Sequence, residues 1–490
     1  MEQNTKKDLL KGVFWNGLEK VLTKGSSFVI GIILARLLAP SDYGLMGMLT
    51  IFVMLSNVII EGGFAKALIQ KKDCDSADYS TAFISNVGVS LVIYAILFFS
   101  APLVANFYDE PKLIALLRIL AINFVLGALN IVQRAKLMAD VDFKSLAQIN
   151  VASTLIGGAL GIFMAYNGFG VWSLVGQTIG STLVMVVLFP FYSKWKPTFL
   201  FSRASFKRLF GFGSKLMLTG FVAVIVNNIS TICIGKHYKS SQLGYYTRAS
   251  QFSEVIAYTI NDILGTVTFP VLSKLQDDTN QLVNVYRRSL YFTALIVFPV
   301  MVLVALLARP LIIILLTEKW LPAVFLLQIL CLARMFTPLS AINMNILNAI
   351  GRSDLFMKLD FSKIPIIALS LVITIPLGVK AIVIGNLVTS FIFFFVNAFI
   401  PGKLYGYGVF EQIKDWRYII LSLLLMAGVV FVFTTFVHNV WLQMVVGSIL
   451  GCVTYIVVNL LTGAIDKDMC KSIFIRVKQK FQLSKVNKIH

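Results

Sequence analysis

The 490 residues are 58% hydrophobic and only 13% charged, with a mean hydropathy of +0.83, whereas a soluble domain is about half apolar and roughly a quarter charged. A chain of this composition has too little polar surface to cover itself in water, which excludes a soluble globular fold. The net charge of +20 does not mark a nucleic-acid binder, because the Lys and Arg lie in short gaps between apolar runs and form no aromatic-interleaved basic domain.

The apolar runs are mostly near ~20 residues, which suits membrane-crossing helices and not the ~10-residue alternating strands of an outer-membrane barrel. In chain order the spans are predicted at about 12–35, 44–66, 80–101, 113–135, 147–166, 170–190, 211–235, 249–271, 290–308, 323–347, 361–379, 381–400, 418–437 and 441–462. The fold class is therefore an all-α polytopic membrane protein of about fourteen helices. The first run follows Lys6, Lys7 and Lys11 but carries Glu19, Lys20 and Lys24 and has no small-residue cleavage site, so it reads as a retained helix. Cys74, Cys233, Cys331, Cys452 and Cys470 have no ligand or redox spacing, so no metal or cofactor is expected.

Charge bias sets the topology. With the N terminus cytoplasmic, the inside segments hold most of the 43 Lys and Arg, including Lys66, Lys71, Lys72, Lys194, Lys196, Arg203, Lys207, Arg208 and the tail from Lys467 to Lys488. The outside set is Arg36, Lys112, Arg118, Lys236, Lys239, Arg248, Arg309, Lys319 and Lys380. Such asymmetry places both termini inside a bacterial cytoplasmic membrane. The longest inside connection, about 191–210, reads as an interfacial linker with Trp195 and its cations at anionic headgroups.

Ile33-Leu34-Ala35-Arg36 followed by Ser41-Asp42-Tyr43-Gly44 is echoed 200 positions later by Cys233-Ile234-Gly235-Lys236 and Ser241-Gln242-Leu243-Gly244. Ala101-Pro102-Leu103 and Arg309-Pro310-Leu311 form a second echo, and Asp142-Phe143-Lys144 with the stretch Asp354 to Lys358 a third. Echoes in the same order at helix ends predict two parallel six-helix bundles, 1–200 and 201–400, around a central cavity, then two additional helices over 401–465 and a basic cytoplasmic tail over 466–490.

Polar groups inside the spans point to that cavity, since an ionisable side chain in hydrocarbon is costly unless paired or hydrated. Helix one presents Asn16, Lys20, Lys24 and Ser27 at helical spacing, with Glu19 beside them. Helix two has Asn57 and Glu61, helix seven Asn227 and Asn228, helix eight Gln251, Glu254, Tyr258, Asn261 and Asp262, and helix ten Arg334 and Asn345. Lys20, Lys24 and Arg334 are candidates for an anionic headgroup. For Arg334 two readings stand side by side, a bidentate phosphate contact or an internal pair with Glu254 or Asp262. Glu19, Glu61, Glu254 and Asp262 are candidates for coupling a proton or sodium ion or for balancing the nearby cations. Asn16, Asn57, Asn227, Asn228, Gln251 and Asn345 are the neutral cavity candidates.

No phosphate-cradling loop, dinucleotide fingerprint or HExxH occurs, and His237, His438 and His490 lie far apart, so neither catalysis nor ATP-driven transport within the chain is expected.

Ile32-Ile33-Leu34-Ala35-Arg36-Leu37-Leu38-Ala39-Pro40-Ser41-Asp42-Tyr43-Gly44, then Gly62-Gly63-Phe64-Ala65-Lys66, Phe107-Tyr108-Asp109 and Gln133-Arg134-Ala135-Lys136-Leu137, resemble the Wzx-type, WzxC-like polysaccharide transporters. These are lipid-linked oligosaccharide flippases of the multidrug/oligosaccharidyl-lipid/polysaccharide exporter superfamily. The resemblance spans essentially the whole chain. It implies passage of an undecaprenyl-pyrophosphate-linked oligosaccharide to the outer leaflet for surface polysaccharide synthesis, coupled to a proton or sodium gradient, alongside a polymerase and other assembly proteins. The family's cationic cavity maps onto Lys20, Lys24 and Arg334, and the acids beside them depart from a uniformly cationic site. Alternatives are a cation-coupled multidrug exporter, a lipid-linked cell-wall precursor flippase and a non-transporting scaffold of a polysaccharide assembly complex.

Overall fold

A computed structural model describes residues 2–61, 68, 74–193, 195, 197, 198, 200–276 and 278–464. All regular structure among the described residues is helical. Of the fourteen expected spans, twelve are helices or broken helix pairs long and apolar enough to cross a bilayer. The other two are continuous helices, α1 (Glu2–Leu37) and one spanning Ser240–Lys274. These carry the Glu19, Lys20, Lys24 and the Arg248, Glu254, Asp262 charge sets. Contacts divide the chain into two compact units, Met1–Thr247 and Arg248–His490.

In the first unit α1 is followed by α2 (Pro40–Glu61), α3 (Ser76–Tyr108), α4 (Lys112–Leu120), α5 (Ile122–Ala139), α6 (Phe143–Tyr166), α7 (Trp172–Ser193) and α8 (Arg203–His237). Caps account for several boundaries. Asp42 accepts the Ala39 amide at 3.0 Å at the start of α2, where Pro40 already holds a helical φ. Asp75 and Asp78 form a capping box on α3, and Asp142 accepts the Ser145 amide at 3.1 Å on α6. The expected helix at 113–135 is two helices broken at Ala121, whose carbonyl accepts the Phe124 amide in a tighter turn.

Small residues set the spacing around α6. A Cβ on Gly157 would lie 1.9 Å from Ser181 Oγ of α7, and one on Gly158 would lie 2.2 Å from Ile30 Cδ1 of α1. Close approach of this kind replaces the hydrophobic drive that helices lack in lipid.

The linker between α7 and α8 corrects the interfacial reading of Trp195. Its ring is buried among Leu68, Ala82, Val132 and Ala135, with Phe83 at 5.7 Å and Tyr79 at 6.4 Å. Ser80 and Thr198 hydroxyls meet at 2.5 Å, the Ser202 amide donates to Thr81 Oγ1 at 2.9 Å, and Arg208 Nη2 pairs with the fully buried Asp78 carboxylate at 2.5 Å. Partners on α3 and α5 thus draw the linker inward.

After α9 (Ser240–Lys274), which crosses the unit boundary, the second unit holds α10 (Thr279–Leu306), α11 (Ala308–Leu316), α12 (Ala323–Arg334), α13 (Thr337–Ala349), α14 (Ser353–Thr374), α15 (Val379–Tyr405), α16 (Val409–Asp415), α17 (Arg417–Phe436) and α18 (Val440–Leu461). Pro338 opens α13 and breaks the expected 323–347 helix, because it lacks the amide that would continue the ladder. Helices α11 and α16 lie in stretches read as loops. Trp416 anchors the core, with Phe298 at 5.5 Å and Phe394 at 5.6 Å. Helix α18 joins α10 where a Cβ on Gly451 would meet Leu303 Cδ1 at 2.7 Å and where the Tyr455 hydroxyl donates to the Leu295 carbonyl at 2.9 Å.

Helix α16 is locked by polar groups. The Tyr286 hydroxyl donates to Asn343 Oδ1 at 2.5 Å, and Gln412 Nε2 donates to the same oxygen at 3.3 Å. Beside them Arg287 grips Asp415 with two 2.6 Å bonds, and the Tyr407 hydroxyl donates to Asp415 Oδ2 at 2.8 Å. Burial, reinforced by that carboxylate, pushes the Tyr407 phenol well above its ordinary range. Asn343→Ala should lower stability by about 1–3 kcal/mol by stranding Tyr286 and Gln412. Thermal unfolding in detergent checks this, with Asn57→Ala, at an exposed site, expected within ~0.5 kcal/mol of the parent.

Candidate transport site

Helix α1 supplies the first part of the site. Lys20, Lys24 and Ser27 are exposed along it. Val21 and Val29 are exposed as well, at 70% and 55%, so the open surface takes in both apolar and cationic positions. Glu19 points to the packed side, where Asn150 Nδ2 of α6 donates to its Oε1 at 2.6 Å. The bond holds the carboxylate beside, not among, the lysines, as expected for a polar group that must be satisfied away from water.

Helices α2 and α8 meet through their polar turns. Asn228 Nδ2 donates to the Val224 carbonyl at 2.8 Å and lies 3.4 Å from Met54 Sδ, one turn from Asn57. A Cβ on Gly220 would touch Val58 Cγ1 at 3.1 Å, which sets the same two helices close further along. Asn57 and Asn227 are both exposed. The first unit therefore carries exposed polar positions on α1, α2 and α8. The side chains of Asn16, Glu61, Asn261 and Asp262 lie outside the described residues.

In the second unit Arg334, the last residue of α12, donates from Nη2 to Glu254 Oε1 at 2.7 Å. Ser250 Oγ donates to the same oxygen at 2.8 Å. Of the two readings of Arg334, an internal pair with Glu254 is the one seen. Both side chains keep some exposure, 27% for Arg334 and 34% for Glu254, so an anion reaching the guanidinium would compete with the carboxylate. Gln251 is exposed and its Oε1 accepts from Arg248 Nη1 at 2.5 Å. Arg248 itself is only 7% exposed, so its side chain packs within the protein. Asn345 is half-buried on α13.

Asn150, Ser250 and Arg248 were not among the expected site residues. Ser250 and Arg248 had a local signal, four and three positions from Glu254 and Gln251 on one helix. Asn150 had none, because its partner is 131 positions away. Among the described residues no three His, Cys, Asp or Glu side chains come close enough to hold a metal ion. An apolar groove of about 630 Å³ lined by Leu424, Val432 and Phe436 of α17 has no charged residue in its lining.

Breaking the Arg334–Glu254 pair should behave as a coupled loss. The Arg334→Ala/Glu254→Ala double variant should destabilise by less than the sum of the two single variants, with a coupling energy of about 0.5–1 kcal/mol for so partly exposed a pair. A double-mutant cycle on detergent thermal stability measures it, and strictly additive singles would show the pair to be energetically idle.

Comparisons with known proteins bear on all of this. The profile of a family described as "Polysaccharide biosynthesis protein" matches residues 33–325. The chain is similar to the teichuronic acid biosynthesis protein TuaB of Bacillus subtilis (strain 168), 26% identical over 76% of this chain and 77% of that one. It is similar to the succinoglycan biosynthesis transport protein ExoT of Rhizobium meliloti (strain 1021), 25% identical over 93% of both chains. Among solved structures, the lipid II flippase MurJ in an inward closed conformation superposes with a TM-score of 0.71 over 91% of this chain and 98% of that one at 18% identity, a likeness of fold.

Proposed function

The chain belongs to the polysaccharide biosynthesis protein family, within the multidrug/oligosaccharidyl-lipid/polysaccharide exporter superfamily, and from that premise we propose that it flips an undecaprenyl-pyrophosphate-linked oligosaccharide across a bacterial cytoplasmic membrane. It is a multi-pass transport protein and not an enzyme. The names of TuaB and ExoT attach those proteins to teichuronic acid biosynthesis and to succinoglycan biosynthesis and transport, and a surface-polysaccharide repeat unit is the substrate class proposed here.

One observation carries the reading: Lys20 and Lys24 stand exposed on α1, with Asn57 and Asn227 exposed on α2 and α8. An ammonium group facing hydrocarbon is costly. A water-filled passage removes that cost, and a pyrophosphate gives the cations a counter-charge. In the proposed cycle the headgroup enters from the inner leaflet and is drawn to Lys20 and Lys24 while the polyprenyl tail stays in the bilayer. Alternating opening of two six-helix bundles, 1–200 and 201–400, then releases it outside. Arg334 joins when the anion displaces Glu254, and the freed carboxylate, with Glu19, Glu61 and Asp262, is where a proton or sodium ion would couple. Both termini are taken as cytoplasmic on the charge bias. An amphipathic organic cation is a poorer cargo, since the same lysines would repel it.

The test is leaflet-resolved movement of undecaprenyl-pyrophosphate-linked oligosaccharides in proteoliposomes with proton or sodium gradients. Acceleration over empty vesicles is expected; none for any substrate under either gradient would sink the proposal. The Lys20→Ala/Lys24→Ala double variant, correctly inserted, should lower flux by roughly ten-fold or more, the worth of about 1.4 kcal/mol of headgroup attraction.

A further inference from the structure

The corner between α1 and α2 packs on the corner between α8 and α9 through a contact that repeats itself. A Cβ on Gly44 would lie 1.7 Å from the Ser240 carbonyl oxygen, and a Cβ on Gly244 would lie 1.8 Å from the Pro40 carbonyl oxygen. The two glycines are 200 positions apart, and so are Pro40 and Ser240. Each corner therefore presents to the other the same surface that it receives, the geometry of a local two-fold axis. No residue with a side chain fits at either glycine without separating the backbones.

The surrounding packing makes the contact a seal. A Cβ on Gly47 would meet Thr247 Cγ2 at 2.9 Å, and one on Gly235 would meet Tyr108 Cε1 at 2.9 Å and Met48 Cγ at 3.2 Å. Leu38, Tyr43, Leu45, Met48, Leu49, Ile234, Leu243 and Tyr246 are all buried here. Lys236 beside them reaches Asp109 at 3.5 Å and lies 5.2 Å from the Phe107 ring. Toward the opposite ends the same helices expose Val21, Met54, Leu218 and Val222 together with Lys20, Lys24, Asn57 and Asn227. The corners thus close tightly at one end, while toward the other α1, α2 and α8 carry exposed polar positions, α2 and α8 still meeting at Val58 and Gly220.

We propose that this reciprocal glycine contact is the outer gate of the transport path, which rests on the transport reading above and takes its sidedness from the charge bias. Backbone resting on backbone seals through shape alone, so the corners separate without stranding a charge in hydrocarbon. Because the two surfaces match, a small rotation about the local axis releases both glycines together, which makes opening a single step.

The experiment uses the full-length chain in nanodiscs, with its five native cysteines replaced and spin labels on Ala39→Cys and Gln242→Cys, both exposed positions. The parent should show a dominant short distance. Gly44→Ala and Gly244→Ala should each shift the closed-to-open ratio about ten-fold toward a longer distance, the scale of an overpacked contact. Gly127→Ala, with nothing within 4 Å of the added Cβ, should leave the ratio alone. Unchanged distances in folded Gly44→Ala and Gly244→Ala would overturn the gate. Should either variant fail to fold, the Ala39→Cys/Gln242→Cys pair joined by a reducible bis-thiosulfonate linker decides: glycan flux should fall and return on reduction, and flux indifferent to the linker refutes the proposal. Labelling of Gln242→Cys by an impermeant thiol reagent from the cytoplasmic side alone would overturn the outer assignment. A parent chain that moves no glycan defeats the transport reading, while the distances still report on the contact.

Discussion

Every polar atom placed inside hydrocarbon must find a partner or water, and this constraint shapes the chain more than any single contact. The backbone meets it with regular structure that is entirely helical among the described residues. Charged side chains meet it by pairing: Asp78 with Arg208, Asp415 with Arg287, Glu254 with Arg334. Each pair ties an element to another distant in sequence. Asp78 fixes α8 and the linker before it, Asp415 fixes α16 onto α10, and Glu254 fixes α9 to α12. The same groups that make the helices difficult to insert thus specify how they pack, most of all Asp78, a fully buried acid that would be costly without its base.

The parts of the fold legible in the sequence are those that hydropathy controls. Runs of about twenty apolar residues can do little but span a membrane as helices, and twelve such spans follow the expected order. The breaks at Ala121 and Met335 were hidden because apolar periodicity continues through them, although Pro338 was a local sign of the second. Trp195 was misplaced for a related reason. Its cationic neighbours suggest an interface, but its ring is fixed by α3, more than a hundred positions earlier, and no local pattern encodes that.

The candidate site was legible in composition and not in pairing. Helical spacing isolated Lys20, Lys24, Asn57 and Asn227 as one class of polar residue in a span, and these are exposed. It could not divide Arg334 between a ligand and a carboxylate, because Glu254 is 80 positions away. Nor could it reveal that Glu19 is held by Asn150. Ionisable residues that look alike in sequence therefore differ in exposure and in the contacts that hold them, and only packing makes the difference.

That difference bears on how cations of one chain would share an anionic headgroup. A lysine at an exposed position attracts a phosphate at long range, and Arg334 has to give up a 2.7 Å bond to Glu254 to receive one. Differential affinity is what lets a ligand move a conformational equilibrium. An anion that engages Arg334 would release a carboxylate and change the charge of α9. Of the two partners of this pair Glu254 is thus the one whose release would make binding at Arg334 consequential.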